Sequence, residues 1–237
     1  MTAPHFFVES VSPGPVLLSP EDSRHALRSL RIRPGEMLTL ADGRGAVARG
    51  RLAGEQNGVA AVEVDEVWRE ARRKPVVSVA LAPPKGDRLV WAIQKLTEIG
   101  VDETVLIRTA RSVRDWDERR GERAMDRLRA VAREAAMQSR QPFIMGLSGP
   151  CPLSGALDSP SVMLTESAPD RLHRVLADDP DAVRVLVGPE GGFTDPEVEE
   201  ARRAGVAMAS LGSNVLRTET AAVVGAALVL ARYGRLG

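Results

Sequence analysis

The stretch LGSNVLRTETAA, residues 211–222, decides how the chain folds. Before it lies the apolar run Val206-Ala-Met-Ala-Ser-Leu211, short and well bounded, as a buried strand would be. After it, Ala221–Tyr233 is apolar almost without interruption, which predicts a helix packed over most of its surface. Between them come Gly212, Ser213 and Asn214, then Arg217, Thr218, Glu219 and Thr220. Polar and charged groups squeezed between two buried elements must find partners or serve a ligand. A plain strand-to-helix turn with Thr218 as N-cap would meet the first demand, so the neighbouring segments have to decide.

Upstream, Val183–Val187 reads as a strand that runs straight into Gly188-Pro-Glu-Gly-Gly192. Glycines directly after a buried strand let backbone approach a ligand, and a following helix start offers free N–H groups. No Lys-Ser/Thr follows, so this is not a Walker loop, and the spacing is not that of a dinucleotide fingerprint. Thr194-Asp-Pro-Glu197 predicts a capping box for the next helix. Val162–Thr165 is a further strand and Leu172–Leu176 a short helix. Val76–Ala82 (VVSVALA) has the continuous apolar character of a parallel strand covered on both faces. After Pro83-Pro84-Lys85-Gly86-Asp87 comes a helix with Leu89, Val90, Ile93, Leu96 and Ile99 on one side, stopped by Gly100. Val105–Ile107 is the next strand. Residues 115–139 form a long helix with Met125, Leu128, Val131, Ala132 and Ala135 inward, ended before Pro142. Strands alternating with helices predict an α/β domain with a parallel sheet.

The first third differs. His5–Glu9 predicts a short strand, and Ser19-Pro-Glu-Asp opens a helix with Ser19 as N-cap. Arg24, Arg28 and Arg31 recur at steps of four and three, which on a helix places them on one face, either solvated or set against a nucleic-acid backbone. MLTLA (37–41), AVARGRLA (46–53) and VAAVEVDEV (59–67) are short β-like pieces separated by turns at Asp42-Gly43 and Gly54–Gly58, as in a small barrel. REARRKP (69–75) is a charged linker, placing a domain boundary near residue 73: domains 1–72 and 73–237.

Net charge is zero, but its distribution is uneven. From Arg108 to Arg140 ten arginines face six acids, whereas from Asp158 to Glu200 eleven acids face three arginines. Cys151 is the one cysteine and is expected in a loop between two prolines; it excludes a disulfide framework. His5, His25 and His173 have no ligand spacing, so no metal is expected. No apolar run approaches a membrane span and MTAPHFFVES lacks the build of a signal peptide, so a cytoplasmic location is expected.

LVGPEGGFTDPE together with LGSNVLRTETAA resembles the signature pair of the ribosomal RNA small subunit methyltransferase E (RsmE) family, a knotted SPOUT class that methylates N3 of a uridine in 16S rRNA. The resemblance continues through His25-Ala-Leu-Arg28, Arg33-Pro-Gly-Glu36, Lys85-Gly-Asp-Arg88, Gln94–Gly100, Arg111-Ser-Val113 and Arg133–Ser139, in order along essentially the whole chain. The sequence departs from that pattern at Ala110, where relatives usually carry Glu, and after Gln138-Ser139, where a shortened segment leaves Arg140.

The resemblance implies an N-terminal PUA-like β-barrel for RNA and a C-terminal α/β SPOUT domain with a parallel sheet and a deep trefoil knot. S-adenosylmethionine would sit among three loops: Leu164, Thr165 and Glu166; Gly188, Pro189, Glu190, Gly191 and Gly192; and Leu211, Gly212, Val215, Leu216, Arg217 and Thr218. Catalytic roles fall to Arg217, against charge developing on the uracil oxygens, and to Glu190 or Glu219, to orient the ring or relay its proton. RNA contacts fall to Arg24, Arg28, Arg31, Lys85, Arg88, Arg111 and Arg140. The expected partners are 16S rRNA, within the small ribosomal subunit, and a second copy in a homodimer to which the 221–233 helix contributes. A knotted ribose 2′-O-methyltransferase and a non-catalytic RNA-binding protein remain open as alternatives.

Overall fold

The computed structural model describes residues 3–112, 118–158 and 160–236. Contacts divide the chain into two compact units: Met1–Arg72 with Ala136–Ile144, and Arg73–Ala135 with Met145–Gly237.

The first unit is a five-stranded sheet. Its strands are β1 (His5–Phe7), β2 (Gly14–Leu17), β3 (Met37–Ala41), β4 (Ala46–Gln56) and β5 (Val59–Arg69), in the order β1-β3-β4-β5-β2. β1 pairs with β3 in parallel and the other pairs are antiparallel. Alternation along these strands turns Leu38, Leu40, Ala48, Leu52, Ala60, Val62 and Val64 into one apolar core with Phe6. The turn between β4 and β5 is Asn57-Gly58 alone; Gly54 lies inside β4, at a register shift.

Helix α1 (Pro20–Arg24) is capped by Ser19, whose hydroxyl accepts from the Asp22 N–H at 3.0 Å. Here the expected arginine face fails. The helix widens into a π turn over His25–Ser29, and Arg31 follows it with φ of 55°. Residues spaced four and three apart share a face only on a continuous α-helix. Arg24, Arg28 and Arg31 are each exposed, but not as one helical row.

The second unit is a six-stranded, wholly parallel sheet. It contains β6 (Val76–Leu81), α2 (Arg88–Glu98), β7 (Glu103–Arg108), α3 (Glu118–Gln138, which continues into the first unit), β8 (Gly146–Pro152), β9 (Ser161–Leu164), α4 (Leu172–Val175), β10 (Ala182–Val187), α5 (Asp195–Arg203), β11 (Ala207–Ala209) and α6 (Thr218–Arg232). The strand order is β11-β9-β10-β6-β7-β8. Val77, Val79 and Leu81 of β6 face one core with α2 and α6, while Ala80 and Ala82 face the other with Ala201 of α5. Burial on both faces explains the unbroken apolar runs. Cys151 is not in a loop: it sits in β8, paired with Ile107.

The strand expected over 206–211 is shorter, and the last helix starts earlier, at Thr218 with Arg217 as its N-cap residue. Thr218 is therefore the first helical residue and not the cap. Ala209, Leu164, Val187 and Leu81 stand side by side in register, so the exits of β11, β9, β10 and β6 lie together at one edge of the sheet. Such carboxyl ends are where open parallel sheets bind ligands.

Candidate functional site

Three of those exit loops enclose one cavity of about 580 Å³, within the roughly 300–1,000 Å³ usual for small-molecule sites. Its walls include Leu164, Thr165 and Glu166 after β9, Gly188, Pro189, Glu190, Gly191 and Gly192 after β10, and Leu211, Gly212, Val215, Leu216, Arg217 and Thr218 after β11. Every residue expected to hold the cofactor lines this one space. Ser167, Val187, Phe193, Asp195, Val198, Ser210, Asn214 and Ala221 complete it. Of these, the sequence marks Asp195 only as part of a helix cap and Ser210 only as strand.

Local chemistry shapes each loop. The Gly192 N–H donates to the Pro189 carbonyl at 2.8 Å, closing a tight turn in which Gly192 has φ of 68°. Thr194 and Glu197 form the expected capping box: Glu197 Oε2 accepts from the Thr194 N–H at 2.7 Å. Its other oxygen accepts from the Ala110 N–H at 2.7 Å, tying the exit of β7 to the start of α5. Across the cavity, the Ser210 N–H donates to the Asp170 carbonyl at 2.8 Å, and Arg171 Nη1 reaches Ser210 Oγ at 3.4 Å. Sequence reading passed over Arg171 because nothing near it marks a site; its partner is thirty-nine residues away.

The charged residues separate into lining and supporting groups. Glu166, Glu190 and Asp195 give the cavity an acidic side, and Arg217 is its one cation among the described residues. Arg217 is exposed, and no hydrogen bond or ion pair engages its guanidinium among the described residues. Glu219 does not line the cavity. It is buried on the first turn of α6, 8% exposed, with Oε1 3.6 Å from Arg88 Nε. Burial alone would raise the Glu190 carboxyl, but its own N–H, the Lys85 N–H and the charges of Lys85 and Arg88 outweigh that and hold it below the usual carboxylate range. The Lys85 N–H donates to Glu190 Oε1 at 3.2 Å, and Arg88 Nη1 lies 3.9 Å from the same oxygen.

Two arginines expected to meet RNA thus have partners inside the protein: Arg88 between two carboxylates, and Arg111, whose Nη1 donates to the Gly191 carbonyl at 2.6 Å. The Lys85 side chain is exposed, as is Arg140 on the first unit, where φ is 56°. Val113, in the expected Arg111-Ser-Val113 motif, lies outside the described residues.

Comparison with known proteins completes the picture. Residues 72–230 match the RNA methyltransferase domain family, and residues 18–64 the RNA methyltransferase PUA domain family. The chain belongs to the ribosomal RNA small subunit methyltransferase E family. It is 34% identical to the Ribosomal RNA small subunit methyltransferase E of Mycobacterium bovis, across 94% of this chain and 90% of that one. The enzyme of that name from Neisseria gonorrhoeae, solved bound to S-adenosyl methionine, superposes with a TM-score of 0.87 at 26% identity, covering 98% of each chain. A putative methyltransferase from Legionella pneumophila, solved in complex with the bound cofactor SAM, gives 0.87 at 27% identity and 98% coverage of both chains. The α/β fold with its parallel sheet and the N-terminal PUA domain stand as expected. No helix among the described residues is long and apolar enough to cross a membrane.

Proposed function

We propose that this chain transfers a methyl group from S-adenosylmethionine to N3 of a uridine in 16S rRNA, with residues 1–72 serving RNA binding and 73–237 the chemistry. One observation carries the reading: loops from the ends of three adjacent parallel strands line a single cavity with an apolar wall, an acidic side and one unengaged arginine. The residues suit the cofactor. Leu164, Leu211, Leu216 and Ala221 offer apolar surface to an adenine, and Glu166, Glu190 and Asp195 favour a positive sulfonium.

When bound, the cofactor supplies a methyl group on a good leaving group, so the protein's task is alignment. The Gly188–Gly192 turn and the 211–217 loop hold one reactant in place. Arg217 would face the carbonyl oxygens of the incoming uracil and stabilise the negative charge that builds there as the N3 proton departs to water, a charge discharged when N3 takes the methyl group and the methyl–sulfur bond breaks to leave a neutral thioether. Glu190, kept ionised below the usual carboxylate range, is a poor proton acceptor and instead orients groups in the cavity. Glu219 lies behind the wall and supports it.

A homodimer belongs to the same proposal. Trp91 on α2 and Leu228 on α6 are 43% and 46% exposed on two helices that pack together, an apolar surface suited to a second copy. A deep trefoil knot, which the family resemblance implies, is also part of it. The decisive measurement is transfer of a labelled methyl group to small ribosomal subunits and to free rRNA, with the product mapped by mass spectrometry. Base methylation at uridine N3 is expected, falling roughly 100-fold in turnover for Arg217→Ala. A methyl on ribose, or no transfer to either substrate, rejects the reading.

A further inference from the structure

Arg88 opens α2, at the end of the loop that leaves β6, and its guanidinium lies between two carboxylates from distant parts of the chain. Glu190 belongs to the turn after β10; Glu219 belongs to the first turn of α6, directly after the β11 loop. No other cation lies within ion-pair distance of Glu219 among the described residues, and its Oε2 is buried without a hydrogen-bond partner. A buried carboxylate with one counter-charge depends on that charge heavily.

We propose that Arg88 is a positioning residue: by bridging Glu190 and Glu219 it clasps the 188–192 turn to the 211–219 segment, so that two of the three cavity walls keep one spacing. This rests on the methyl-donor reading of the cavity and adds a residue that does not touch the donor. Removing the guanidinium leaves Glu190 with the Lys85 N–H, which still anchors it, but leaves Glu219 buried and uncompensated. The first turn of α6 then has to shift toward water, and it carries the 211–217 loop with it. The favourable helix N-terminus beside Glu219 softens this cost without replacing a full charge. An arginine that contacted phosphate would behave differently, because its loss would weaken RNA binding and lower the salt slope by about one.

The test compares wild type, Arg88→Met, Arg88→Lys, Glu219→Gln and the Arg88→Met/Glu219→Gln double variant. Calorimetric titration with S-adenosylmethionine is expected to show Arg88→Met weakened roughly 10-fold, with Arg88→Lys and the double variant each recovering most of the loss. RNA affinity and its salt slope stay at the wild-type level. Affinity of Arg88→Met within about twofold of wild type overturns the proposal. So does a reduced RNA salt slope with donor affinity intact. Thermal unfolding of the ligand-free proteins reads the pair separately: additive melting shifts for the two single changes reject the clasp. A wild-type protein that binds no S-adenosylmethionine, yet shows non-additive melting shifts, would refute the donor reading while leaving the pairing in place.

Discussion

Two arginines in the second unit each serve buried carboxylate, yet their surroundings differ sharply. Arg235 is saturated: its side chain is 10% exposed and donates to the Pro75 carbonyl at 2.7 Å, the Gly100 carbonyl at 2.9 Å, and Asp102 Oδ2 and Oδ1 at 2.5 and 3.3 Å. Gly234, with φ of 64°, reverses the chain after α6 and delivers it there, the Arg235 N–H donating back to the Leu230 carbonyl at 2.8 Å. Arg88, with a 41% exposed side chain, stands 3.6 and 3.9 Å from its two partners and makes no direct hydrogen bond to either. The first arrangement locks the end of α6 to the strand starts far from the cavity with direct hydrogen bonds; the second holds two cavity walls more lightly, by charge across a longer gap.

The contrast predicts a large scaffold effect. Arg235→Ala should cost about 3–5 kcal/mol in urea unfolding, since it removes the counter-charge of the buried Asp102, which keeps the Val77 N–H, and the donor to the Pro75 and Gly100 carbonyls. A cost below about 1 kcal/mol would mean that the saturated network is no more than a surface pair.

A second buried group extends the comparison to the first unit. His5 Nδ1 lies 2.8 Å from Thr39 Oγ1 on the neighbouring strand. Burial pushes the imidazole down from 6.5 to about 4; the Gln141 backbone opposes this and the Arg140 charge reinforces it. The folded state therefore prefers the neutral ring. Its contribution is complete above pH 6.5 and drains away as the pH falls from there to about 4, where the folded protein also takes up the proton. The loss amounts to about 3 kcal/mol. Unfolding measured across that interval should slope less steeply for His5→Asn than for wild type, and identical slopes would place the acid sensitivity elsewhere.

What could be read in the sequence follows from what is local. β6, β7 and β10 announce themselves because both of their faces are covered, and the cavity loops because glycine, proline and acids interrupt apolar runs. β2 and β8 do not: both are edge strands, GPVL and GLSGPCP, where proline and glycine are tolerated because only one side is paired. The Arg24, Arg28 and Arg31 row was lost to a π turn, a change of pitch that side-chain spacing does not reveal. The internal partners of Arg88 and Arg111, namely Glu190, Glu219 and Gly191, come eighty or more residues later, so the spacing around each arginine does not show them. Long-range pairing of charges leaves no periodic trace.

Arg111 is the finest test of the division between locked frame and more lightly held site. It makes one short bond, Nη1 to the Gly191 carbonyl, and its Cδ would sit 3.2 Å from a Cβ placed on Gly191. The guanidinium is otherwise exposed, so the global fold leans on it little. Arg111→Met keeps the aliphatic stem over the glycine and removes only the donor. Unfolding should then stay within about 0.5 kcal/mol of wild type, while S-adenosylmethionine binding weakens about 5-fold, the value of one hydrogen bond near 1 kcal/mol. If instead donor binding held and RNA binding lost one unit of salt slope, Arg111 would be a phosphate contact whose bond to Gly191 gives way when RNA arrives.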